Sequence, residues 1–221
     1  MSYGYLSLVL VTLLIGCAST WYVNSRLKKY SRVPTMTGLT GAEAARRMLQ
    51  FHGIRGVTIH RGREGEDFFD PRTNSVTLGP DSYDARTVTA IATACHEVGH
   101  ACQYATGYTP MKVRGAIVPV ANVASNVWIL VLFVGIFLNW AGLVNLAIVL
   151  YAAVVLFELV TLPVEFDASN RALAYMSTAG LPSNEQAGSQ SVLRACALTY
   201  VAAALSSILQ LLWLLGQRSN D

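Results

Sequence analysis

In 221 residues, hydrophobic side chains make up 53% and charged ones only 13%, with a mean hydropathy of +0.41. A chain this apolar exceeds what a soluble domain of its size buries, so the composition excludes an ordinary soluble enzyme and points to an integral membrane protein. The net charge of +3 comes largely from a basic cluster after the first apolar run. No basic stripe is interleaved with aromatics, so no nucleic-acid partner is expected.

Residues 1–25 carry no charged side chain and suit one membrane span of about 20 residues. Arg26, Lys28, Lys29 and Arg32 follow at once, with Arg46 and Arg47 further on, while nothing basic precedes the run. Because positive charge collects on cytoplasmic flanks, the segment from residue 26 is expected in the cytoplasm and the N-terminus outside. Leu14, Ile15, Gly16 and Cys17 imitate a lipoprotein cleavage site. A signal carries its basic residues before the apolar run, so an uncleaved anchor is expected instead.

Residues 26–114 read as a small cytoplasmic α+β domain. GLTGAEAARRMLQFHG is a short helix with a Thr40/Glu43 capping box and Gly53 as its stop. Residues 57–60 and Ser75–Leu78 alternate like strands, and the second is the expected edge strand, able to hold an extended peptide by backbone hydrogen bonds. Asp81 and Asp84 are candidate N-caps for a helix over 86–104, which Gly107 and Pro110 end.

That helix contains HEVGH at 96–100. In a helix, side chains at i and i+4 share a face, so His96 and His100 are placed to grip one zinc ion. Glu97, beside the first, is placed to take a proton from a water that the metal activates, which is the chemistry of a zinc peptidase. Two ordinary surface histidines would be flanked by charges, whereas the neighbours here are Ala, Cys, Val and Gly. Cys95 and Cys102 lack CxxC spacing and are expected as free thiols engaged in packing.

Residues 115–157 are again free of charge, long enough for two spans turning at Asn139, Trp140, Ala141 and Gly142, so 115–162 reads as a transmembrane hairpin. Asn122, Ser125 and Asn126 would bond between helices or line a hydrated route. LPVEFDASNRALAYM looks like a fresh helix with Pro163 at its first position and Gly180 past its end, within a cytoplasmic segment 163–190. Residues 191–217 supply a fourth span. The expected protein is therefore mainly α and membrane-integral, with four transmembrane helices and one small cytoplasmic domain.

A catalytic zinc needs a third protein ligand. Two membrane crossings separate HEVGH from Glu165 and return the chain to the same side, which favours Glu165; His52 and His60 remain alternatives. Glu158, about one turn inside the boundary, is expected to snorkel outward with Arg171 or Arg194 as partner.

The anchor followed in order by LTGAEAARRML, DPRTNSVTL, ATACHEVGHACQ, LPVEFDASNRAL and LRACALTYVAAAL resembles the YugP-like neutral zinc metallopeptidases of bacterial membranes over nearly the whole chain. The chain is also similar to HtpX-type and CAAX prenyl proteases, membrane gluzincins with HExxH, intervening spans and a glutamate-bearing helix. The resemblance implies a zincin-like domain holding one Zn²⁺, with His96, His100 and Glu165 as ligands and Glu97 as base. It also implies a multi-pass protein of the bacterial inner membrane acting on protein or peptide substrates near lipid, with other membrane proteins or a second copy as further partners. In gluzincins an aspartate usually follows the ligand glutamate by four residues and orients a ligand histidine. Here that position is Ser169, whose hydroxyl can accept the imidazole N–H, with Asp167 and Asn170 nearby. Arg171, Tyr175 and His60 are the candidates for stabilising an oxyanion.

A zinc-binding membrane scaffold without turnover is the competing expectation. The intact Glu97 argues against it, because structural zinc sites are closed by Cys and His with no spare base. Transport would require ionisable residues deep in several spans, and only Glu158 is available.

Overall fold

The computed structural model describes residues 3–218, so Met1 and Ser2 of the expected anchor lie outside it. Its elements in chain order are α1 (Tyr3–Tyr30), α2 (Gly41–Phe51), β1 (Thr58–Arg61), β2 (Phe68–Asp70), β3 (Ser75–Leu78), α3 (Pro80–Tyr83), α4 (Val88–Ala105), α5 (Thr109–Phe137), α6 (Ala141–Thr178) and α7 (Ser183–Arg218). Four of these are long and apolar enough to cross a membrane, over Gly4–Tyr30, Thr109–Phe137, Ala141–Thr178 and Ser183–Gln217. Large apolar side chains such as Leu13, Phe133 and Val149 stand exposed along them, as lipid-facing positions would.

The metal-motif helix α4 is the hub, packed against α2 on one side and the ends of α6 and α7 on the other. Its inner face contributes Ile91, Ala94, Cys95, Val98 and Cys102 to a core shared with Met48 of α2, Val76 and Leu78 of β3, and Met176 of α6. Burial pushes the Cys95 thiol up to about 12, which suits a packing residue and not a reactive one. A second cluster, at the far end of the long helices, gathers Trp128, Tyr151, Val155 and Leu214.

Several local expectations are met. Thr40 accepts from Glu43 N–H while Glu43 Oε2 accepts from Thr40 N–H at 2.8 Å, closing the capping box of α2. Gly53 and Gly180 take positive φ just past α2 and α6, where a side chain would be strained.

Others need correction. The N-cap of α4 is Thr87, whose hydroxyl accepts from Ala90 N–H, because Asp81 and Asp84 are taken up by the short turn α3 and its C-cap. Ser75–Leu78 is not the edge but the centre of a three-stranded sheet, parallel to β1 and antiparallel to β2. The edge beside the histidines is β2, too short to show alternation in the sequence.

Pro163 does not open a new helix. It sits inside α6, which runs unbroken for 38 residues, and α7 is likewise continuous for 36. An interior proline forgoes one backbone hydrogen bond and costs about 3 kcal/mol in water. The carbonyl left without its helical donor is that of Leu159, and the helix nonetheless continues through it. Ser125 and Asn126 bond back to the Asn122 carbonyl of their own helix instead of bridging to a neighbour.

Candidate metal centre

Because α4 is helical through HEVGH, His96 and His100 project from one face, their rings 4.7 Å apart and edge to face. Glu165 reaches them from α6: its Oε2 lies 3.2 Å from His96 Nε2 and 3.8 Å from His100 Nε2. One ligand atom from each of the three lies within 4.8 Å of the others. With bonds of about 2.0–2.1 Å, donors around a tetrahedral zinc stand roughly 3.3 Å apart, so the spacing and the donor set both fit that ion.

The outward nitrogens of both imidazoles are engaged, which aims Nε2 at the shared centre. His96 Nδ1 is hydrogen-bonded to Ser169 Oγ at 3.1 Å, one turn after Glu165. His100 Nδ1 donates to Gln103 Oε1 at 3.0 Å, and the Gln103 amide donates in turn to the Val164 carbonyl and to Asp167 Oδ2, at 2.7 and 2.9 Å. Asp167 is closed by Arg171 at 2.6 Å. Ser169 therefore does contact the His96 imidazole, while Asp167 reaches His100 through Gln103. Gln103 is fully buried and had no assigned role in the sequence; a neutral amide three residues after the second HEVGH histidine on an apolar helix is the signal for it. Replacing Gln103 with Leu is expected to weaken zinc binding about 10–100-fold, read by competition with a chelating dye, since outer partners of ligand histidines typically matter by that factor.

Glu97 is buried beside the pair. Burial pushes its carboxyl up to about 7, against the pull of His96, and the Phe69 backbone N–H of β2 donates to it. For His100, burial together with the neighbouring His96 drives the imidazole down to about 4, so it is neutral and ready to ligate at any ordinary pH. Burial works against a charge on His96, but its hydrogen bond to Glu165 and the charges of Glu97 and Glu165 together outweigh that and raise it.

The alternatives fall away. His60 bonds Thr58 on the exposed strand β1 and His52 stacks against Phe51, so neither joins the cluster. Arg171 pairs with Asp167, which removes it both from Glu158 and from the oxyanion role, and Tyr175 packs in the core. A cavity of about 830 Å³ opens on His96, Glu97, His100 and Glu165, and Arg114 of α5 and Tyr200 of α7 line it. These two were missed in the sequence because nothing local marks them; only the packing of α5 and α7 around α6 brings them to the histidines.

The family profile described as "Putative neutral zinc metallopeptidase" matches residues 5–218. The chain is 41% identical over 210 residues to a protein of Bacillus subtilis (strain 168) named "Putative membrane protease YugP", covering 94% of this chain and 93% of that one. No solved structure matches. A match over nearly the whole length, with the HEVGH histidines converging on an acidic side chain, leads to one assignment: the chain belongs to the neutral zinc metallopeptidase family.

Proposed function

We propose that this protein is a membrane-embedded zinc endopeptidase that cleaves membrane-associated or misfolded proteins at the cytoplasmic face of the bacterial inner membrane, with His96, His100 and Glu165 holding one ion. The observation that carries the reading is the meeting of those three donors, with Glu97 at their side, on the floor of a cavity wide enough for a peptide. The basic residues Arg26, Lys28, Lys29 and Arg32 at the end of α1 support the orientation, since α4 packs against that same end through Thr89 Oγ1 and the Leu27 carbonyl.

When bound, zinc supplies Lewis acidity, lowering the pKa of water toward roughly 7 and polarising a carbonyl. Glu97 takes the proton from the attacking water and gives it to the leaving amine as the C–N bond breaks. The water oxygen ends in the new carboxylate. Ser169 and Gln103 keep the histidines turned to the centre, and β2 offers its outer edge to an extended substrate.

The test is metal removal. Purified protein in detergent, given an unfolded polypeptide, is expected to produce new N-termini, to stop after treatment with a chelator, and to resume when zinc is restored. A preparation holding one zinc per chain that cuts no peptide bond sinks the proposal.

A further inference from the structure

The cavity at the histidines is not uniform. Along α5 its lining passes from the charged Lys112 and Arg114 to the uncharged Val118, Pro119 and Asn122, while Asp67 and Arg72 add charge from the segment around β2 and Tyr200 of α7 also lines it. No charged side chain occurs from residue 115 to 157, so the boundary between the charged and uncharged stretches of α5 runs through the middle of the cavity. The helices are arranged to match. α5 packs on α6 and α4, and α7 packs on α1, α6 and α4, so the two flank α6. At the far end Trp128 of α5 and Leu211 and Leu214 of α7 share one apolar cluster with Tyr151 of α6, whereas at the level of the histidines both α5 and α7 line the cavity. Pro119 adds a polar feature to the apolar half: lacking an N–H, it leaves the carbonyl of Gly115, another lining residue, without its helical partner.

We infer that the cavity is a lateral entrance for the segment next to a membrane anchor in another polypeptide: the extended, polar part lies along β2 over the histidines, and the apolar continuation leaves between α5 and α7 into the bilayer. This rests on the peptidase reading and narrows its substrate class to anchored chains cut close to their own transmembrane helix. A soluble peptide satisfies only the charged end. The eight residue steps from Arg114 to Asn122 rise about 12 Å along α5, the length of roughly four extended residues. The scissile bond is therefore expected in the extended segment, within a few residues of the start of the substrate's helix.

The experiment places one cleavable linker either directly beside a transmembrane helix or behind a spacer of about fifteen flexible residues, both co-reconstituted with the full chain in phosphatidylethanolamine and phosphatidylglycerol vesicles. Near placement is expected to be cut at least tenfold faster than far placement, and Asn122→Trp, which fills the apolar half, is expected to remove that advantage while zinc content stays unchanged. Equal cutting at both distances overturns the entrance and leaves the peptidase standing, as does an Asn122→Trp protein that keeps the near preference. Zinc-loaded protein that cuts neither substrate overturns both.

Discussion

Glu97→Gln is expected to lower peptide cleavage by about 10²–10⁴-fold, the range typical of losing a positioned general base, while leaving zinc content at one per chain. The amide matches the carboxylate in size and still offers an oxygen to the Phe69 N–H, so the fold around β2 has no reason to move. It cannot accept a proton from water. The three residues assigned to the metal are untouched, so zinc analysis and cleavage should part company. A scaffold protein would show no phenotype, and a variant that cuts at the wild-type rate would remove Glu97 from the mechanism.

Gly99→Ala is expected to disable the site without touching any donor. Gly99 lies within HEVGH, and a Cβ there would run into the carbonyl oxygen of Ala168, with the Ala168 carbonyl carbon and Cα both at 3.0 Å. Those are backbone atoms of α6, and Ala168 stands between Glu165 and Ser169, so the chain cannot yield without carrying both away from the histidines. Helix propensity alone would make alanine better by about 1 kcal/mol. Overpacking of this kind typically costs about 1–3 kcal/mol, and displacing reacting groups by 1 Å can cost about 10²-fold in rate. The sign is thus decided by the close approach of α4 and α6. Thermal unfolding, zinc titration and cleavage should all worsen together; a more stable, fully active Gly99→Ala protein would contradict the contact.

The parts of the site that lie within one element were legible in the sequence. HEVGH, on a helix with no other charged residue, put the two histidines and Glu97 together, and the parity of crossings favoured the Glu165 that lies beside them. What escaped depends on contacts between distant segments. Gln103 reads as one more residue on a face until Val164 and Asp167, 61 and 64 residues later, are brought to its amide. The edge strand β2 has three residues and follows a charged loop, so it shows no period of its own. Pro163 misled for a different reason: a proline suits the first position of a helix, yet α6 runs on through it and forgoes one backbone hydrogen bond there.

The separation of the donors along the chain carries a consequence for biogenesis. His96 and Glu165 are 69 residues apart, and α5 with the first half of α6 lies between them. With that pair read as a bilayer-crossing hairpin, a nascent polypeptide has its two imidazoles long before it has the acid. On the proposed reading, a nascent chain shorter than this hairpin lacks a complete donor set, so the site can assemble only once the second crossing has been made.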